Sequence, residues 1–142
     1  MNEAMMQSSN TVAQMLRTHP KPSKLDAGKL AQAAQALDEC AGTCTVCADA
    51  CLSEQMVVEL VRCIRLNQDC ADVCAMTACV LLRSGAEPQG AVLRRLLETC
   101  AEICRACGEE CARHAQMHEH CRICAQSCRH CEETCRQMLS SM

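Results

Sequence analysis

The chain has 142 residues, a net charge of −3 at pH 7, no Phe, Tyr or Trp, and 17 Cys beside 9 Met. That length carries one domain with a real core but hardly two, and scattered Lys and Arg with no aromatic platform exclude nucleic acid as a partner. No stretch approaches the roughly 18 consecutive apolar residues of a membrane-crossing helix, so no membrane span is expected.

Residues 1–22 form the first unit, a short amphipathic helix with Val12, Met15 and Leu16 on one side, ended by His19-Pro20-Lys21-Pro22. It has neither an apolar core behind a positive start nor a twin arginine, so it does not read as a secretory leader. The cytoplasm is therefore the expected location, where thiols stay reduced. An odd cysteine count agrees, because secreted disulfide frameworks normally use an even one.

Residues 23–142 form the second unit, which reads as four helices. The first covers about residues 26–51 with Asp26 as N-cap, and is rich in Ala, Leu and Gln. The second covers about 54–84, with Gly85 as C-cap and Glu87-Pro88 restarting the chain. The third covers about 88–114 and the fourth about 117–139. Connections this short make neighbours antiparallel. The expected fold is all-α: an antiparallel up-down-up-down four-helix bundle with a short additional N-terminal helix.

An internal repeat supports this architecture. CAGTCTVCADAC (40–51) and CAEICRACGEEC (100–111) share CAxxCxxCxxxC at an offset of 60, so the body is a doubled helical hairpin. In the second helix of each pair the offset is 61: Cys63 matches Cys124, Cys70 matches Cys131, Cys74 matches Cys135, and Met56 matches Met117. Cys128 then matches Asn67, where the series has lost a thiol.

Steps of three and four keep side chains on one helical stripe. Cys40, Cys44, Cys47 and Cys51 share a stripe, as do Cys63, Cys70 and Cys74. So do Cys100, Cys104, Cys107 and Cys111, and then Cys121, Cys124, Cys128, Cys131 and Cys135. In a bundle these stripes are the core seams, so sixteen cysteines line one axis. Cys79, about 140° round the helix from Cys74, belongs outside, and its role is not legible. A second apolar stripe on the same helix, Val57, Val61, Ile64, Ala75, Cys79 and Leu82, faces away from the axis. The N-terminal helix or another subunit would cover it.

Cysteine as a plain small hydrophobe does not account for four matching seams, because thiol layers alone fill a core poorly. Disulfides within a stripe are excluded by geometry: helical neighbours have Cβ atoms about 5–6 Å apart, against about 3.5–4.5 Å in a disulfide. Metal remains. Thiolates favour Cu(I), Zn(II) and iron–sulfur clusters, but the loop knuckles of zinc sites and the tight spacings of cluster motifs are absent. Thiols on rigid helix faces suit Cu(I), held by two or three bridging sulfurs, with a capacity of roughly 15 or more ions per chain. The alternative is a general zinc or metal-thiolate buffer of the metallothionein kind. Neither paired carboxylates nor a Ser-His-Asp set projects into the core, so an enzyme is not expected.

The seams differ at their ends. One end runs into Leu30, Leu37, Leu81, Leu93, Leu97, Met138 and Leu139, a hydrophobic plug. The other carries Met56, His114, Met117 and His118, with His120 beside them, as candidate auxiliary or admission ligands. His130 and His19 read as surface residues. Asn67 lies on the seam, where its carbonyl oxygen either contacts a metal or accepts a hydrogen bond.

With its CxxxC pairs, four thiol-lined seams, short N-terminal helix and no leader, the chain resembles the cytosolic branch of the bacterial copper storage proteins over essentially its whole length. The resemblance implies a homotetramer of four-helix bundles, each binding many Cu(I) ions through its core cysteines, with His and Met near the open end guiding them in. The copper donor and acceptor are not identified by it.

Overall fold

The computed structural model describes residues 11–84 and 90–142 of the chain. Among these residues the long elements are four helices and no strand: α1 (Ala27–Leu52), α2 (Val61–Leu82), α3 (Gly90–Arg113) and α4 (Glu119–Ser141). Asp26 caps α1 as expected: its backbone is extended and its carboxylate accepts the Lys29 N–H at 3.0 Å. The expected C-cap at Gly85, the restart at Glu87-Pro88 and the part of the N-terminal helix before residue 11 lie outside the described residues.

The sulfur pairings give the topology. Cys51 meets Cys121 and Cys44 meets Cys128, so α1 and α4 run in opposite directions. Cys63 meets Cys111, Cys70 meets Cys104 and Cys74 meets Cys100, which makes α2 and α3 antiparallel as well. Helices pack around a square, α1 on α2, α2 on α3, α3 on α4 and α4 on α1, and the diagonal pairs make no substantial contact. The middle of the square is left to side chains that point along the diagonals, and those are the thiols.

At the end where α1 and α3 begin, Leu30, Leu37, Leu81, Leu93, Leu97 and Met138 are buried and Leu139 is half-buried. This is the expected plug, and it supplies the large aliphatic side chains that the thiol layers lack. Thr77 is buried beside it on α2, its hydroxyl donating to the Val73 carbonyl at 2.7 Å. Leu97→Ala removes a fully buried side chain and is expected to cost about 2–5 kcal/mol, read as a lower urea midpoint of the metal-free chain. Copper capacity should stay unchanged, because no thiol is lost.

Three expectations are corrected. The second helix does not start near Glu54: a turn is followed by a 3₁₀ segment, Val57–Leu60, and α2 begins at Val61. Neither Met56 nor Leu60 offers a capping side chain, and the β-branched pair Val57-Val58 weakens a helix start. The tighter winding buries Leu60. In the N-terminal helix, residues 11–17, the packed side is Ala13 and Leu16, one turn apart, while Val12 and Met15 are exposed. On α2, Ile64 is buried rather than part of the outward stripe, whereas Val61 and Cys79 are exposed as expected.

Candidate metal centre

All seventeen cysteines are free thiols, and the sixteen on the seams are buried to 2% exposure or less. Sγ atoms stand 3.6 Å apart in the pairs Cys44–Cys128, Cys63–Cys111, Cys74–Cys100 and Cys74–Cys104. Others lie at up to 4.0 Å, as in Cys51–Cys121 and Cys107–Cys111. A soft ion held at about 2.3 Å by three thiolates needs sulfurs about 4.0 Å apart, so small rotamer shifts open these sites.

The thiols form overlapping groups whose sulfurs all lie within 4.8 Å of one another. Cys44, Cys107, Cys124 and Cys128 make one; Cys44 and Cys128 recur with Cys40 and Cys70 in the next. Cys40 and Cys70 recur with Cys74 and Cys104, and those two recur with Cys100 and Cys131. Each of these four groups therefore shares two ligands with the next along the axis, the arrangement that bridging thiolates require. Gly108 aids the closeness of α3 and α4: a Cβ there would lie 3.2 Å from the Cys128 Cβ.

Burial opposes the ionisation of these thiols in the metal-free chain. Cys51 is pushed up to about 11 by desolvation and by the neighbouring Cys63. Cys135 is raised by its contacts with Cys100 and Cys131 and by burial. An incoming metal must displace these protons.

Asn67, fully buried, interrupts the series. Its Oδ1 accepts from Cys124 at 3.0 Å, Cys107 at 3.2 Å and Cys111 at 3.7 Å, and its Nδ2 donates to the Cys63 sulfur at 3.4 Å. Both ends of the amide are satisfied by thiols, so in this state the carbonyl is a hydrogen-bond acceptor. Toward the mouth, Cys47, Cys51, Cys63 and Cys121 form the last group.

At that mouth the imidazole that reaches the thiols is His120. Its Nδ1 lies 3.5 Å from the Cys47 Sγ and 3.6 Å from the Cys121 Sγ. Its Nε2 is 2.9 Å from Glu54 Oε2, which also lies 3.0 Å from His118 Nδ1. The two rings stack with centroids 5.5 Å apart. His114 is turned to another carboxylate, its Nε2 2.9 Å from Glu110 Oε2, and Glu110 is buried and paired with Arg62 at 3.3 Å. Met56 and Met117 stand in solvent at 41% and 65% exposure, on the rim and outside the thiol column. His130 is exposed, and exposed His19 accepts the Lys21 N–H.

Sequence reasoning missed Glu54 and Glu110. Acidic residues next to a helix end read as ordinary surface, and only the preference of imidazoles for carboxylate partners would have singled them out.

Sixteen buried thiols along one axis, closed by leucines at one end and fringed by imidazoles at the other, find a direct match: the sequence model of the copper storage protein family fits residues 26–140. The chain belongs to that family. Among solved copper storage proteins, Ccsp from Streptomyces lividans loaded with 10 copper equivalents is 48% identical, with a TM-score of 0.88 over 92% of this chain and 99% of that one. A five-copper structure, described as a cytosolic copper storage protein of the same organism, is 50% identical, with a TM-score of 0.78 over 80% of this chain and 94% of that one. The Cu(I)-bound copper storage protein BsCsp3 is 35% identical, with a TM-score of 0.67 over 76% of this chain and 95% of that one. The family is named for storage, not catalysis. Among the described residues no helix is long and apolar enough to cross a membrane.

Proposed function

We propose that this chain stores and buffers many Cu(I) ions, held by the sixteen seam thiols, Cys40, Cys44, Cys47, Cys51, Cys63, Cys70, Cys74, Cys100, Cys104, Cys107, Cys111, Cys121, Cys124, Cys128, Cys131 and Cys135. The single observation that carries this reading is the sharing of two thiols between successive groups in a run of four along the axis. A site for one structural ion has no use for such overlap. A ladder of two- and three-coordinate soft ions is built from it. Each bound Cu(I) replaces a proton, so the filled core gains no charge. Membership of a family whose solved relatives carry several coppers favours copper over the general zinc buffer.

His120 is the first imidazole on the path, with His118 and His114 as auxiliary donors and Met56 and Met117 as weaker thioether contacts on the rim. The site of storage is the cytoplasm, as described for the Streptomyces lividans relative. Four chains assemble into a homotetramer, a reading supported by apolar side chains left exposed around α2, Val58 at 83% and Val61 and Met76 at nearly half.

The test is anaerobic titration of the reduced chain with Cu(I) against a chromophoric chelator. Uptake of roughly 15 ions per chain is expected. Saturation at one or two ions refutes storage, and zinc retained in preference to copper after equal exposure refutes the choice of metal.

A further inference from the structure

We propose that Glu54 is a positioning residue for copper uptake: by accepting the Nε2–H of His120, with His118 Nδ1 3.0 Å from the same oxygen, it fixes the His120 tautomer and turns the lone pair of His120 Nδ1 toward Cys47 and Cys121. The inference rests on the uptake role given to His120 above and adds to it the group that makes this imidazole a ligand.

An ionised carboxylate only accepts hydrogen bonds, so a ring nitrogen within 3.0 Å of it carries a hydrogen. Glu54 Oε2 faces His118 Nδ1 at 3.0 Å and His120 Nε2 at 2.9 Å. A carboxyl of ordinary acidity is ionised at neutral pH, so Glu54 faces both rings as an acceptor. In neutral His120 the proton on Nε2 leaves Nδ1 with the free pair. That nitrogen lies 3.5 Å from the Sγ of Cys47 on α1 and 3.6 Å from that of Cys121, the outermost thiol of α4 on this side. The opposite tautomer would aim an N–H at the place where a cation must sit. Metal-binding histidines commonly have their second nitrogen fixed by a carboxylate, and loss of that partner costs about 10–100-fold in affinity or activity.

Glu54 is itself well placed for this. Its N–H donates to the Cys51 carbonyl at 3.2 Å, continuing the last turn of α1, so the backbone that presents the carboxylate is anchored to a thiol-bearing helix. The histidines arrive from the α3–α4 connection and the first turn of α4. One carboxylate thus bridges the two loops that surround the mouth.

The experiment compares the full-length reduced, metal-free chain with Glu54→Ala, Glu54→Gln and His120→Ala under argon. Long-range proton–nitrogen NMR correlations read the imidazole tautomers, and stopped-flow transfer from a Cu(I)–chelator complex reads the uptake rate. The expected result is an Nε2–H tautomer for His120 in the parent and a mixture in both Glu54 variants. Uptake in those variants should be slower by about tenfold, with the final number of coppers unchanged. An unchanged tautomer in Glu54→Ala overturns the proposal, and so does a changed tautomer with an unchanged rate. If Glu54→Ala loses helicity, the isosteric Glu54→Gln decides by the same criteria. Should His120→Ala also load at the parent rate, the uptake role of the mouth histidines fails; slow loading in His120→Ala beside normal loading in both Glu54 variants overturns the positioning role alone.

Discussion

Loading the reduced chain with Cu(I) is expected to raise its unfolding temperature by more than about 20 °C. The metal-free core is held by the leucine plug and by layers of small thiols, and a thiol offers little apolar volume. Copper changes this by adding bonds between helices. Cys44 of α1 shares a group with Cys124 and Cys128 of α4 and Cys107 of α3, and Cys74 of α2 shares one with Cys100 and Cys104 of α3 and Cys131 of α4. Each such ion ties together helices that separate on unfolding. A ligand present at a hundred times its dissociation constant stabilises by about 2.7 kcal/mol per site. Several sites together therefore exceed the stability of an ordinary domain of this size. Differential scanning calorimetry with and without metal, in an anaerobic cell, makes the comparison. A loaded chain melting within a few degrees of the metal-free one would place the copper on the surface rather than between the helices.

The second large effect is on pH. Burial disfavours the thiolate in the metal-free core, with Cys51 pushed up to about 11, so each Cu(I) bound to a protonated thiol releases about one proton. Copper affinity then falls about tenfold for each unit of pH lost, or about a thousandfold between pH 8 and pH 5. Competition with a chelator of known pH dependence measures the slope. An affinity independent of pH would assign the copper to neutral donors such as thioethers. The stability of the metal-free chain moves the other way. A thiol whose pKa is higher in the folded chain than in the unfolded one stabilises fully below its ordinary value near 9, and this contribution is lost as pH rises toward 11. Urea unfolding under reductant should show that loss on the alkaline side and none between pH 6 and 8.

These effects trace back to features of unequal visibility in the chain itself. The step of three and four between cysteines is a local property, because 100° per residue fixes which side chains share a face of a helix whatever surrounds it. The four seams, the buried state of their sixteen thiols, the leucine plug and the outward Cys79 were therefore legible without coordinates. So was the capping of α1 by Asp26, which depends only on a side chain and the first turn. The start of α2 was less so: Glu54 continues the apparent helical pattern, yet its carboxylate is taken up by two histidines more than 60 positions away.

The amino-acid sequence by itself determined that this protein is a helical bundle with a soft-metal interior, because periodicity and ligand type are written residue by residue. Only the tertiary structure decided which thiols form shared groups, that Asn67 is satisfied by four of them, and that His120 on Glu54 is the imidazole facing the column. Those outcomes depend on the rotation and stagger of helices packed across a common axis, and on two loops meeting at one end, neither of which any single segment encodes.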